Sequence, residues 1–169
     1  NAALGWYFYI AGRNDEAIAQ SLRTIEISPN HFFAHWILGL AYAQAGRLDE
    51  AAVSLEKGVS LTNGGQAIKA ELGRILGQSG RREEAQKLLT ELIDQGKKEY
   101  VSPVNLAKLY VGLNDVERTY EQLERAFAER SVRLQWFMLD PCLNHIRSEQ
   151  RFQDLLRRIG LPNKEIVGS

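Results

Sequence analysis

Apolar residues recur along the chain as pairs of helical stripes. Ile37, Leu38, Leu40, Ala41 and Tyr42 form one run, and Ala51, Ala52, Leu55, Val59 and Leu61 the next. Spacing by three and four residues puts each set on one helix face, so the pair predicts two amphipathic helices in one unit. The unit recurs. Gly5, Gly39, Gly73 and Ala107 lie 34 residues apart, as do Gly12, Gly46, Gly80 and Asn114, and again Ala17, Ala51, Ala85 and Thr119. Three columns with one period predict four stacked helical hairpins, 1–31, 32–65, 66–99 and 100–131, the first truncated. The fold class expected is all-α, an α-α superhelix.

Each column has a physical reading. Glycine takes the left-handed conformation that ends a helix without steric cost, and asparagine is the next best choice. Gly12, Gly46, Gly80 and Asn114 therefore mark the turn after the first helix. Acidic residues follow (Asp15 and Glu16, Asp49 and Glu50, Glu83 and Glu84, Asp115 and Glu117), where the positive end of a helix dipole favours them. Gly39 and Gly73 fall inside the first helix at a cost of about 1 kcal/mol each relative to alanine. Close approach to the alanine column of the second helix is the expected compensation.

After Ser131 the period breaks. Leu134 to Leu139 is too apolar for a solvated linker and is expected to lie against the fourth hairpin. Asp140 and Pro141 read as an N-cap and a first helical position, and Ser148 as the cap of a last helix. Phe152, Leu155, Leu156 and Ile159 form its apolar stripe, Arg151, Asp154, Arg157 and Arg158 its charged face, and Gly160 and Pro162 its end. Segment 132–169 is thus a capping segment and tail that covers the bare face of the last repeat.

In the second unit Leu38, Gly39, Tyr42, Gly46, Ala51 and Leu55 follow one order: small residue, aromatic three later, turn glycine, alanine. This resembles the tetratricopeptide repeat family. The usual proline near the end of a unit occurs once, as Pro29; the third unit has Leu76 for the aromatic, and the fourth keeps Tyr110 but lacks the turn glycine and the alanine. The closing string, Leu139, Asp140 and Pro141 through Ile146 and Arg147, then Arg151 and Phe152 to Pro162, is similar to the ends of repeat arrays in large bacterial signalling proteins, winged-helix regulators and protein kinases among them. The resemblance implies a protein-binding scaffold, the sensor or docking part of a larger protein with an effector domain before Asn1. The alternative is a self-association domain of a transcriptional regulator, kinase or cyclase.

Composition narrows the partner. Lys plus Arg and Asp plus Glu each number 21, which leaves no net field to attract a polyanion, and nucleic acid is not an expected partner. Arg81 and Arg82, Lys97 and Lys98, and Arg157 and Arg158 read as solvated faces. The one cysteine, Cys142, excludes an internal disulfide and fits a reducing, cytoplasmic setting. No apolar run has the length of a membrane span, and no signal peptide is recognisable.

Catalytic chemistry is not expected. His31 and His35 could face one side of a helix, but Phe32, Phe33 and Ala34 between them supply neither a third ligand nor a glutamate. Cys142 and His145 make a lone pair of ligand type, Gly64 and Gly65 lack the lysine and serine of a phosphate loop, and no nucleophile motif occurs. No catalytic residue, metal or cofactor is assigned.

The family resemblance places the concave wall on the first helices. The matching positions are Trp6, Tyr9, Phe33, Trp36, Leu40 and Gln44, then Arg74, Gln78 and Lys108. The wall would be apolar early and cationic late, suited to a peptide with an apolar anchor near Trp6, Phe33 and Trp36 and a carboxylate near Arg74 and Lys108. Pairing of two copies through the N-terminal aromatics is the other expectation.

Overall fold

The computed structural model describes residues 2–161. Among them ten α-helices and one 3-10 segment follow one another: α1 (Ala2–Ile10), α2 (Asn14–Ile27), α3 (Phe32–Gln44), α4 (Leu48–Leu61), α5 (Gln66–Gln78), α6 (Arg82–Gly96), α7 (Pro103–Gly112), α8 (Val116–Ala128), α9 (Val132–Met138), the 3-10 segment Pro141–Ile146, and α10 (Gln150–Arg158). Odd-numbered helices stack side by side as an inner layer and even-numbered ones back them, an α-α superhelix as expected.

Each hairpin turns in the same way. Gly12, Gly46, Gly80 and Asn114 have φ of +72°, +77°, +85° and +56°. The residue after each sends its N–H back to the carbonyl five residues earlier, as from Arg47 to Tyr42 at 2.9 Å and from Asp115 to Tyr110 at 2.9 Å. This is the Schellman arrangement, and it meets carbonyls that the end of a helix would otherwise leave bare.

Two close approaches set the spacing of helices. A Cβ on Gly39 would lie 2.6 Å from Leu55 Cγ and 3.1 Å from the Ala51 carbonyl, which is the approach expected of the glycine and alanine columns. Gly73 differs, because its added Cβ would meet Leu109 of α7 at 2.0 Å. Gly77 and Gly112 bring α5 and α7 to backbone contact, where a Cβ on Gly112 would sit 2.3 Å from the Arg74 carbonyl oxygen.

The structure extends the period past Ser131. Second helices begin at Asn14, Leu48, Arg82 and Val116, and α10 begins in step at Gln150. The closing segment is therefore a fifth hairpin. Pro141 falls 34 residues after Ala107, in the column of small residues, and a proline inside a helix removes a hydrogen bond and clashes with the preceding turn. The first helix of this hairpin is accordingly split into α9 and the 3-10 segment, with Asp140 between them capping the latter through a bond from the Cys142 N–H at 2.9 Å.

Leu134, Phe137 and Met138 pack with Val104, Ala107, Val111 and Tyr120 of the fourth hairpin, as expected of this apolar run. Phe152, Leu155 and Leu156 are buried in the same cluster. Arg151 and Arg158 tie α10 to α8 through Glu117 and Glu124, each at 2.7 Å. Glu149, rather than the exposed Ser148, occupies the N-cap position of α10, and its carboxylate accepts from the Tyr120 hydroxyl at 2.9 Å. Gly160 ends α10 at φ +76°, while Pro162 lies outside the described residues.

Candidate partner-binding face

Inner-layer helices bring the expected wall residues together, but the split fifth hairpin stands against the same wall. Trp6 stacks with Tyr9 at 5.5 Å and Phe33 at 6.4 Å between ring centroids, and Phe33 meets Trp36 edge-on at 6.2 Å. Tyr9, Leu40 and Arg74 are 2%, 2% and 3% exposed. They lie on the wall beneath other side chains. Trp6, Phe33, Trp36, Gln44 and Lys108 are half-buried, and Gln78 is exposed.

The cationic end of the wall holds a carboxylate from the chain itself. Glu71, 1% exposed, accepts from Arg74 Nε at 2.9 Å and from Lys108 Nζ. Arg74 Nη1 also donates to Gln78 Oε1 at 3.0 Å. Burial alone would raise the Glu71 carboxyl; Lys108 and Arg74 outweigh it and hold it below the ordinary carboxylate value. Burial likewise opposes the charge on Arg74, and Glu71 together with Asp140 and other neighbouring groups more than offsets it. Lys108 Nζ further lies 6.0 Å from the centre of Trp36 and 5.4 Å from that of Phe137.

Beside this network the Tyr9 hydroxyl donates to Asp140 Oδ1 at 3.1 Å, which joins α1 to the fifth hairpin. Burial and the neighbouring Asp140 carboxylate push the Tyr9 phenol and the Cys142 thiol well above their ordinary values, so both stay protonated. A neutral thiol is a poor nucleophile. His145 Nδ1 sits 3.0 Å from the Cys142 carbonyl, and His31 accepts from the Ala34 N–H at 3.3 Å as the cap of α3. His35 bonds the Pro29 carbonyl at 2.8 Å. These histidines stand with backbone groups, and no cluster of three or more metal-ligating side chains occurs among the described residues.

What remains open of the concave face is divided into chambers. The largest, about 510 Å³, runs between the starts of α3, α5 and α7 and the start of α9, with Phe32, Trp36, Tyr100, Asn105, Val132 and Arg133 among its walls. A smaller one of about 200 Å³ adjoins it, with Trp36, Asn105 and Arg133 common to both. A third, about 390 Å³, opens beside Gln44, Gln78 and His145. Asn105 is 2% exposed and its side-chain amide has no hydrogen-bond partner among the described residues; Arg133 is likewise without an ion-pair partner among them. Neither was named from the sequence. Asn105 stands 34 residues after Glu71, so the inward-facing column was the signal that could have found it.

No helix among the described residues is long and apolar enough to cross a membrane. Comparison with known proteins agrees with the repeat geometry. Two tetratricopeptide repeat family models match, one over residues 2–60 and the other over residues 42–102. Among curated proteins, none matches. Of solved structures, a Podosopora anserina putative kinesin light chain with nearly identical TPR-like repeats is similar at 22% identity, with 94% of this chain and 90% of that chain covered and a TM-score of 0.55. A singly substituted form of that protein matches over the same shares at 22% identity and a TM-score of 0.54. Likeness at this identity speaks to the fold alone. With the recurring 34-residue hairpins and the family matches in agreement, the chain belongs to the tetratricopeptide repeat family.

Proposed function

We propose that this scaffold binds an extended or helical peptide on its concave face and serves as the docking part of a larger cytoplasmic regulatory protein. The observation that carries the reading is the chamber of about 510 Å³ on the concave face. Phe32, Tyr100 and Val132 are exposed apolar side chains on its walls, and Trp36 is half-buried there. Arg133 is the charged residue of that wall. An apolar floor with one cation suits a peptide whose large apolar side chain neighbours an acidic one. Trp6, Phe33, Trp36, Gln44, Gln78 and Lys108 are within a partner's reach, while Tyr9, Leu40 and Arg74 support the wall from beneath. The regulatory setting rests on the resemblance of the closing string to the ends of signalling arrays.

Selection of peptides from a displayed random library tests the binding reading. Selected peptides should pair an apolar with an acidic residue and lose at least about tenfold in affinity, a typical hot-spot effect, with Arg133→Glu or Phe32→Ser. Undiminished binding to both variants would sink it.

A second reading, pairing of two copies, is favoured by the outer face of α1. Leu4 and Tyr7 are 43% and 64% exposed. Their equivalents in the next three hairpins are covered, Leu38, Leu72 and Leu106 at 5%, 7% and 8% and Ala41, Ile75 and Leu109 at 0%. A face built like an interface between repeats is thus left uncovered by the described residues in the first hairpin.

A further inference from the structure

Trp6, Trp36 and Trp136 are the three tryptophans of the chain, and all three line the smaller chamber although they come from α1, α3 and α9. Core packing does not account for the convergence, since Trp136 is 63% exposed. Two polar groups at the chamber lack partners among the described residues. The Trp36 indole N–H is buried without an acceptor, and the Asn105 amide beside it makes no side-chain bond. A buried donor is ordinarily satisfied, so the unmet Trp36 N–H at a small cavity points to an acceptor supplied from outside.

The charges around it add a sign. Glu71 is balanced between Arg74 and Lys108, and Asp140 is held by the Tyr9 hydroxyl and the Cys142 N–H. Of the four charged side chains that line the chamber, Glu71, Lys108 and Asp140 already hold partners within the chain, and Arg133 is the one with no ion-pair partner among the described residues. We infer that this chamber binds a small aromatic carboxylate. The ring stacks among the tryptophans, and the carboxylate accepts from Arg133, Trp36 Nε1 and the Asn105 amide. A volume of about 200 Å³ suits one ring with a short acid arm rather than a longer chain. This site goes beyond the peptide reading and stands without it.

The test uses phenylacetate, with 2-phenylethanol and 2-phenylethylamine as neutral and cationic counterparts. Binding is followed by tryptophan emission under selective excitation and by calorimetry. Phenylacetate should change the emission saturably and bind at least about tenfold more tightly than either counterpart, as expected of one charge-assisted hydrogen bond. Arg133→Ala should cost about the same factor, and Trp136→Ala, at an exposed position, should weaken binding and leave the circular dichroism and thermal midpoint unchanged. Trp36→Phe keeps a ring but removes the donor and should also weaken it. Equal affinity for the three compounds, no saturable change, or full binding by Arg133→Ala would overturn the assignment. Peptide selection can succeed or fail independently of these results.

Discussion

The Tyr9 hydroxyl donates to Asp140 Oδ1 at 3.1 Å, across 131 residues of sequence. It joins the first hairpin to the fifth and so limits the concave groove to separate chambers. Tyr9→Phe removes the donor while leaving the ring's packing. Asp140 keeps its bond from the Cys142 N–H, so the cost should be about 1–2 kcal/mol. A drop of about 2–8 °C in thermal midpoint would follow for a chain of this size. Small-angle scattering should show a wider molecule; unchanged stability and dimensions would mean that the bond does not hold the ends together.

Glu71 makes stability depend on acid. Its folded carboxyl titrates below the ordinary value because Lys108 and Arg74 outweigh burial. A depressed folded pKa contributes stability that is present above the unfolded pKa and lost as pH falls through the folded one. Acid unfolding should therefore steepen below about pH 4.3, the usual glutamate value. Glu71→Gln leaves Arg74 and Lys108 without their anion and should cost about 3–5 kcal/mol at neutral pH. It should also flatten the dependence below that value, and an equally steep acid limb in the variant would place the dependence elsewhere.

Gly112 tests the close approach of α5 and α7. A Cβ there would lie 2.3 Å from the Arg74 carbonyl oxygen and 2.4 Å from the Arg74 Cα, and backbone cannot swing aside as a side chain does. Gly112→Ala should destabilise by about 2–3 kcal/mol in spite of alanine's better helix propensity. Gly96→Ala, whose added methyl meets Val101 only at 3.8 Å, should be neutral or stabilising by up to about 1 kcal/mol in the same denaturant titration.

The bare face of α1 gives a fourth expectation. If two copies pair there, sedimentation at micromolar concentration should give a dimeric mass that becomes monomeric with Leu4→Lys and Tyr7→Glu. A mass that ignores both substitutions would remove the pairing reading.

Local chemistry made the hairpins legible. The turn column, the acidic starts of the second helices and the close approach at Gly39 are each consequences of one residue type at one place. Asn114 took the left-handed turn conformation for the reason that glycine does. The fifth hairpin is masked in the sequence because Pro141 replaces the small residue of its column and splits the helix that would carry the period. Gly77 and Gly112 carry no periodic signal, since they are 35 residues apart rather than 34. The covering of Tyr9, Leu40 and Arg74 was illegible because it depends on a contact between the two ends of the chain. Composition could not show, either, that Lys108 and Arg74 share Glu71; that pairing needs both the turn of α5 and its distance from α7.

Hydrogen exchange of the chain with and without a selected peptide tests the concave-face account most directly. Amides at the starts of α5, α7 and α9, around Gln66, Asn105 and Arg133, should become protected while the outer helices α2, α4 and α6 keep their rates. Protection confined to α2, α4 and α6, with the inner helices unchanged, would contradict it.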